Sequence, residues 1–326
     1  MKNLVIGIDI SKDTFDFCTL RKENHEIINR GIINNTKEDI SKWLKGIDID
    51  EVVFSMEHTG HYGALLAWSL SQVSTEYFLI NPLELKNSIG IQRGKTDAID
   101  AYRIASYTIT NRHKLKAYTI PADSLRKLKV LMTARERFVR ISVQLKNSLK
   151  ANQIVNKTLD VKDLIRLEKK QIKAIEKSIQ DLETKMLEII KSNQELKKNY
   201  DKIGQVIGVG PITAIKCITE TDNFMKFLNA RKFSCHCGLA PFAYQSGSSI
   251  KGKTKTHYLR DKSLKAILFK AAGSAIQHDP QLKKYYNRKV LEGKHKLTAL
   301  NAVANKLVLR IFAVVKRDEP FVKLSA

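Results

Sequence analysis

"NLVIGIDISKDTFDFCTL", residues 3–20, decides the fold. Its opening, NLVIGID, is a short apolar strand ending in Asp9, and residues 13–20, DTFDFCTL, alternate as its hairpin partner would. HEIINRGIIN, 25–34, reads as a third strand. A polar helix follows, opened by the cap region Asn35-Thr36 and carrying Ile40, Trp43 and Leu44. EVVFSME, 51–57, is a buried strand ending in Glu57; a helix over 61–73 and the strand EYFLIN, 76–81, come next. A hairpin followed by alternating helices and strands predicts an α/β layered sheet for residues 1–120.

The next helix opens within "GKTDAIDAYRIA", 94–105, where Asp97 and Asp100 stand three positions apart. Residues so spaced share a helix face, so two carboxylates there repel. Either they serve the helix start, as caps and dipole partners, or they ligate a divalent cation that turns the repulsion into binding. Asp9, Glu57, Asp97 and Asp100 all fall at the ends of neighbouring elements, where they can converge on one sheet edge. Four carboxylates in one place raise each other's pKa, and hard cations remove that cost. Two Mg²⁺ ions about 3.5–4 Å apart would clamp a scissile phosphate. GIDISKDTFDF also resembles the opening of sugar and acetate kinases. There a glycine follows the acid, whereas Ser11 and Lys12 occupy the turn here and no glycine-rich adenosine loop comes later.

Hydrophobic content of 43% and charged content of 28% describe a soluble globular chain, and no apolar run reaches the roughly 18 residues of a membrane span. The N-terminus runs straight into a strand containing acids, unlike a signal peptide. Cys18, Cys217, Cys235 and Cys237 lack framework spacing, which suits a reducing cytoplasm. Cys235-His236-Cys237 is not a zinc site on its own, because three adjacent residues cannot all reach one tetrahedral ion. The net charge of +24 is unevenly spread. Residues 1–120 hold 15 Lys and Arg against 15 Asp and Glu; 121–200 hold 19 against 10, and 201–326 hold 23 against 8. A basic excess confined to the later part of the chain is the footprint of a polyphosphate partner. No amphipathic anchor or lipidation signal supports a membrane surface instead.

Between Pro121 and Gly204 there is neither proline nor glycine. Leu164, Leu167, Ile172, Ile175, Ile179, Leu182, Met186 and Ile189 recur mostly at threes and fours. That spacing predicts an antiparallel helical hairpin or short coiled coil, serving as a spacer or dimerisation arm. In IGQVIGVGPITAIKCITE, Gly208 and Gly210 permit a turn and Pro211 starts a helix, as in a helix-hairpin-helix. Such a turn either exposes amides to a phosphate or simply connects two helices. Helices over 224–236, 261–277 and 297–315 complete a mostly α segment, interrupted by a Gly/Ser/Lys loop over 241–256. The expected division is therefore 1–120, 121–200 and 201–326.

The motifs GIDISKDTFDF, SMEHTGHY, LINPLELKNSIGIQRGKTDAIDAYRIA, VIGVGPITA, FSCHCGLAPFAYQSGSSIKGK and NAVANKLVLRIFAVVKRDEPF occur in an order that resembles, end to end, the DEDD transposases of bacterial insertion sequences. That is the insertion sequence one-ten family, described as bridge-RNA-guided recombinases and related to the Piv invertases. The resemblance implies a RuvC-like RNase H fold at the N-terminus, a coiled-coil connector and a C-terminal transposase domain. It assigns the metal-binding acids to Asp9, Glu57, Asp97 and Asp100, with Mg²⁺ or Mn²⁺ as the ion. It assigns the nucleophile to Ser246 in YQSGSS, with Ser248 and Ser249 as rivals and Gln245 where some relatives carry Glu. It further implies a phosphoserine link to DNA, donor and target DNA as substrates, and a non-coding bridge RNA that chooses them. Because Ser246 and the acids fall in different domains joined by the helical arm, a dimer or tetramer is expected, and a site composite between protomers is one arrangement it would allow. Lys251, Lys253 and Lys255, with Gly208 and Gly210, are the candidate nucleic-acid contacts. A RuvC-like nuclease that cleaves junctions with water is the alternative.

Overall fold

The computed structural model describes residues 2–58, 60–90, 96–227, 229–246, 250–256 and 258–317, and of 242–246 and 250–255 the backbone. The chain divides into two compact units, Met1–Ile120 and Pro121–Ala326. The first runs β1 (Leu4–Ile10), β2 (Thr14–Arg21), β3 (Ile27–Asn34), α1 (Lys37–Lys45), β4 (Val52–Glu57), α2 (Ala64–Gln72), β5 (Tyr77–Ile80), α3 (Pro82–Ile89) and α4 (Asp97–Asn111). Its five-stranded sheet has the order β3-β2-β1-β4-β5. The β1–β2 and β2–β3 pairs are antiparallel, and β4 lies parallel to both β1 and β5.

Strand alternation sorts the side chains between the two faces of this sheet. Ile6, Ile8 and Ile10 of β1, Phe15 and Phe17 of β2, and Val52, Phe54 and Met56 of β4 pack with Ile40, Leu44, Leu66 and Leu70 of α1 and α2. Trp43 stands edge-on to Phe15 at 5.3 Å and to Phe54 at 5.9 Å between ring centres. The intervening residues Val5, Cys18, Leu20 and Val53 meet Ala101 and Ala105 of α4 on the opposite face. By the same alternation Asp9, Asp16 and Glu57 belong to the α4 face, at the strand ends. α3 was not anticipated from the sequence; Asn81 caps it by accepting from Leu83 N–H at 2.9 Å, and Pro82 occupies its first position.

The second unit is mostly helical: α5 (Asp123–Val155), α6 (Lys162–Ser192), α7 (Gln194–Gly204), α8 (Pro211–Glu220), α9 (Ala230–His236), β6 (Phe242–Ser246), β7 (Ile250–Lys255), α10 (Lys262–His278), α11 (Pro280–Leu291) and α12 (Lys296–Arg317). α5 and α6 form the long hairpin. The polar cross-links run in opposite order along them: Arg135 to Glu183 at 2.6 Å, Lys146 to Glu176 at 2.6 Å, then Ser148 and Asn152 both to Glu168. Those last two donors both reach Oε1 and offset part of the cost of burying Glu168, whose Oε2 is buried without a hydrogen bond. Leu128 and Met132 of α5 and Met186 and Ile190 of α6 enter the same core as α8, α10 and α12. α12 is long and apolar enough to cross a membrane, yet Val303, Ala304, Leu307, Val308 and Ile311 on it are fully buried in this core.

Three expectations are corrected in this unit. Residues 241–256 are not a plain loop, since β6 and β7 pair antiparallel from Phe242–Lys255 to Ser246–Ile250. The helix expected over 224–236 begins only at Ala230, where Asn229 caps it by accepting from Lys232 N–H at 3.0 Å. Phe224, the first residue of the expected span, has positive φ, which a right-handed helix does not admit. α11 was not anticipated; it follows α10 after Asp279, which caps it through Leu282 N–H at 2.9 Å while Pro280 takes its first position.

Candidate metal centre and serine hairpin

The acid cluster begins with a glycine. Gly7 on β1 lies so close under α4 that a Cβ built on it would sit 2.2 Å from Ala101 O and 2.3 Å from Ala105 N. An interior strand glycine marks such a close approach of another backbone. Ala101 and Ala105, one helical turn apart and fully buried, present the small surface that meets it. Asp9 lies two residues beyond Gly7 on the same strand face, and Asp97 and Asp100 occupy the helix turn before Ala101. Ile8 pairs with Met56 across the parallel β1–β4 ladder, so Asp9 and Glu57 follow side by side.

The electrostatics agree with that placement. Burial pushes the Asp9 carboxyl up, and repulsion from Asp100, Asp97, Glu57 and Asp16 pushes it further, to about 6. The Asp9 carboxyl therefore lies in the common field of the other three acids. Capping does not account for the α4 pair, because Thr96 is the cap: its hydroxyl accepts from Ile99 N–H at 3.3 Å. Arg103 binds Asp100 at 2.8 Å and fixes its orientation. Carboxylates are the donors that hard divalent cations prefer. Among the described residues, the ligand atoms of these four do not close to within 4.8 Å of one another as those of Glu220, His236 and Asp261 in the second unit do.

Asp16 is a fifth acid absent from the expected set. It is the register partner of Asp9 across the β1–β2 hairpin, and burial followed by the charge of Asp97 raises its carboxyl as well. Like charges directly opposite on adjacent strands destabilise a sheet. Counting back from the Ser11–Asp13 turn would have paired the two.

Ser246 is the last residue of β6, and its backbone pairs with Ile250. Ser248 and Ser249 lie outside the described residues. Lys251, Lys253 and Lys255 lie on β7, whose pairing with β6 shifts register between the Tyr244–Gly252 and Phe242–Lys255 pairs. Gly208 has φ +93 and packs against α10, a Cβ there falling 2.6 Å from that of Ala275. Gly210 is the exposed N-cap of α8, with Pro211 at its first position.

A family model described as Transposase matches residues 6–154, which contain all four acids. A second, described as Transposase IS116/IS110/IS902 family, matches residues 200–287, which contain Ser246 and the β7 lysines. The chain belongs to this transposase family. Full-length relatives of this family member include the pilin gene-inverting protein of Moraxella bovis, 26% identical over 99% of both chains. The transposase for insertion sequence element IS1111A of Coxiella burnetii is 21% identical over 98% of this chain and 92% of its own. Among solved structures, T. thermophilus RuvC in complex with a Holliday junction substrate aligns over 35% of this chain and 99% of its own, at 11% identity and a TM-score of 0.28.

Proposed function

We propose that the chain is a DNA recombinase of an insertion element, with a RuvC-like RNase H domain as its first unit and a serine nucleophile in its second. The observation that carries this is geometric: Asp9 and Glu57 end neighbouring parallel strands on the sheet face that α4 covers, and Asp97 and Asp100 stand on the first turn of that helix. Membership of a transposase family supports DNA as the substrate. Guidance by a non-coding RNA of the element and assembly as a dimer or tetramer belong to the same proposal. The excess of 42 Lys and Arg over 18 Asp and Glu in residues 121–326 (19 + 23 against 10 + 8) supplies the charge for such polyanions.

Asp9, Glu57, Asp97 and Asp100 would hold the divalent ions, which supply Lewis acidity toward phosphate oxygens. Arg103 keeps Asp100 oriented, and the Gly7 contact keeps α4 at its distance from β1. Ser246 Oγ attacks the scissile phosphorus in line, forming an ester to the 5′ side. The bond to the 3′ oxygen breaks; that oxygen takes the electron pair and the proton the serine gave up, becoming a free 3′-hydroxyl. The phosphodiester is conserved as phosphoserine, so attack by another 3′-hydroxyl rejoins DNA without ATP.

Ser246→Ala is the test. Trapping on duplex DNA carrying a nick beside the cleavage point should give a protein–DNA adduct with the wild-type chain, reduced roughly 10³-fold or more in the variant. An adduct that survives the substitution removes Ser246 from the role. Free 5′-phosphates from the wild-type chain, with no adduct, would make water the nucleophile and leave the acids as a nuclease site.

A further inference from the structure

The second unit buries a charged cluster that the chemistry above does not use. Lys216 on α8 is 5% exposed. Its Nζ lies 2.7 Å from Glu136 Oε1 of α5, 3.0 Å from Glu220 Oε1 one turn along α8, and 3.9 Å from Asp261 Oδ2. Burial works against the Lys216 ammonium, but Glu136 and Glu220 outweigh it and keep the group charged. Glu220 has its other oxygen 3.6 Å from His236 Nε2. Burial pushes the Glu220 carboxyl up, yet His236 and Lys216 together hold it at about 2. Glu220, His236 and Asp261 each offer a ligand atom within 4.8 Å of the others, a spacing a metal ion could use. Lys216 already places a cation among those acids, while Glu136 Oε1 and His236 Nε2 are buried without a well-aligned hydrogen bond.

What the cluster grips is the neck of the serine hairpin. His236 is the last residue of α9 and Asp261 caps α10, and the β6–β7 hairpin is strung between them. Asp261 N–H donates to His236 O at 3.0 Å, closing the neck. Lys265 Nζ donates to Gly238 O at 2.9 Å, and Asn301 Nδ2 to Leu239 O at 2.8 Å, on the incoming side. Gly238, at φ +67, fits against the Arg260 side chain so closely that a Cβ would come within 2.3 Å of Arg260 Cδ. Asp261 works in two directions: Oδ1 accepts from Leu264 N–H at 2.9 Å as the α10 cap, while Oδ2 faces Lys216.

We propose that Lys216, with Glu136, Glu220, His236 and Asp261, is the positioning device of the Ser246 hairpin, fixing the two chain ends from which the hairpin springs. A buried ion cluster suits this task because removing one partner leaves a buried charge uncompensated, so the arrangement admits little slack. The five residues tie α5, α8, α9 and α10 to one point at the hairpin root. The catalytic consequence rests on Ser246 being the nucleophile; the mechanical claim rests on the neck alone.

Two isosteric variants of the full chain test it. Glu220→Gln keeps the volume and removes the charge facing Lys216 and His236. Asp261→Asn keeps the Oδ1 cap of α10 and removes the charge facing Lys216. In each, hydrogen exchange at the β6–β7 amides should accelerate about tenfold while the buried α12 amides keep their wild-type protection. The rate of adduct formation on nicked duplex DNA should fall about tenfold with DNA affinity unchanged. Faster hairpin exchange in the variants, with no adduct from the wild-type chain, would uphold the positioning device and discard the serine nucleophile. Hairpin exchange unchanged in both variants, or accelerated equally in α12, would overturn the positioning device whatever the adduct assay shows.

Discussion

Replacing Asp9 by asparagine is expected to abolish DNA strand cleavage and, in the absence of metal, to raise the melting temperature. Burial, then the charges of Asp100, Asp97, Glu57 and Asp16, hold the folded-state carboxyl at about 6, against an ordinary value of 3.8. Because the folded value is the higher one, the contribution of this group to stability is full below about 3.8 and is lost as pH rises through about 6. Near pH 7.5 the metal-free fold therefore carries a penalty from burial and from the neighbouring charges on the order of 1–2 kcal/mol, after discounting for the solvent that reaches a half-buried group. Asparagine removes that charge at nearly constant shape, which should raise the midpoint by roughly 3–6 °C in calorimetry of the metal-free chain. Wild-type protein should be stabilised by millimolar Mg²⁺ at pH 7.5 and much less at pH 5, where Asp9 is largely protonated; the variant should respond weakly at both. Cleavage should fall by about 10³-fold or more, since a ligand to the ion is gone. A wild-type midpoint indifferent to Mg²⁺ and Mn²⁺ at both pH values would remove the four acids from metal binding.

The placement of these acids was legible because two periodicities coincide. Period-two alternation in NLVIGID and EVVFSME sets Asp9 and Glu57 at strand ends, and the three-residue spacing of Asp97 and Asp100 sets them on one helix face. What the residues did not announce was depth. Gly7 reads in sequence as one more small residue in an apolar run, and only the helix lying on it reveals its purpose. The Lys216 cluster was invisible for a related reason: Glu136, Lys216, Glu220 and Asp261 are ordinary surface residue types, scattered over 126 positions, and tertiary packing alone makes them neighbours. The 241–256 segment was read as loop because Gly, Ser and Lys weaken strand propensity. Its pairing is held at the root by contacts from α9, α10 and α12 instead. The helix expected from residue 224 failed at its start, since Phe224 has positive φ and the helix begins only after the Asn229 cap.

Gly7→Ala should be among the most disruptive single-methyl additions in the first unit. The new carbon would lie 2.2 Å from Ala101 O, 2.3 Å from Ala105 N and 2.8 Å from Ala105 Cβ. Two of those atoms are helix backbone, so no rotamer change relieves the contact and α4 must retreat from β1. Overpacked cores lose about 1–3 kcal/mol, and a shift of a whole helix places this substitution at or above the upper end, read as a lower urea midpoint. Adding Ala105→Gly should recover little, because it removes only the side-chain part of the clash. Asp97 and Asp100 travel with α4, so the four carboxylates spread apart even where the variant still folds. A misplacement of about 1 Å in a reacting group can cost on the order of 10²-fold in rate, and cleavage should fall at least that far. Spreading the acids also weakens their mutual repulsion, so folded Gly7→Ala should lose most of the Mg²⁺-dependent rise in melting temperature that the wild type shows at pH 7.5. A variant with the wild-type urea midpoint and an undiminished Mg²⁺ response would mean that α4 does not rest on Gly7, and that the spacing of the acids is set elsewhere.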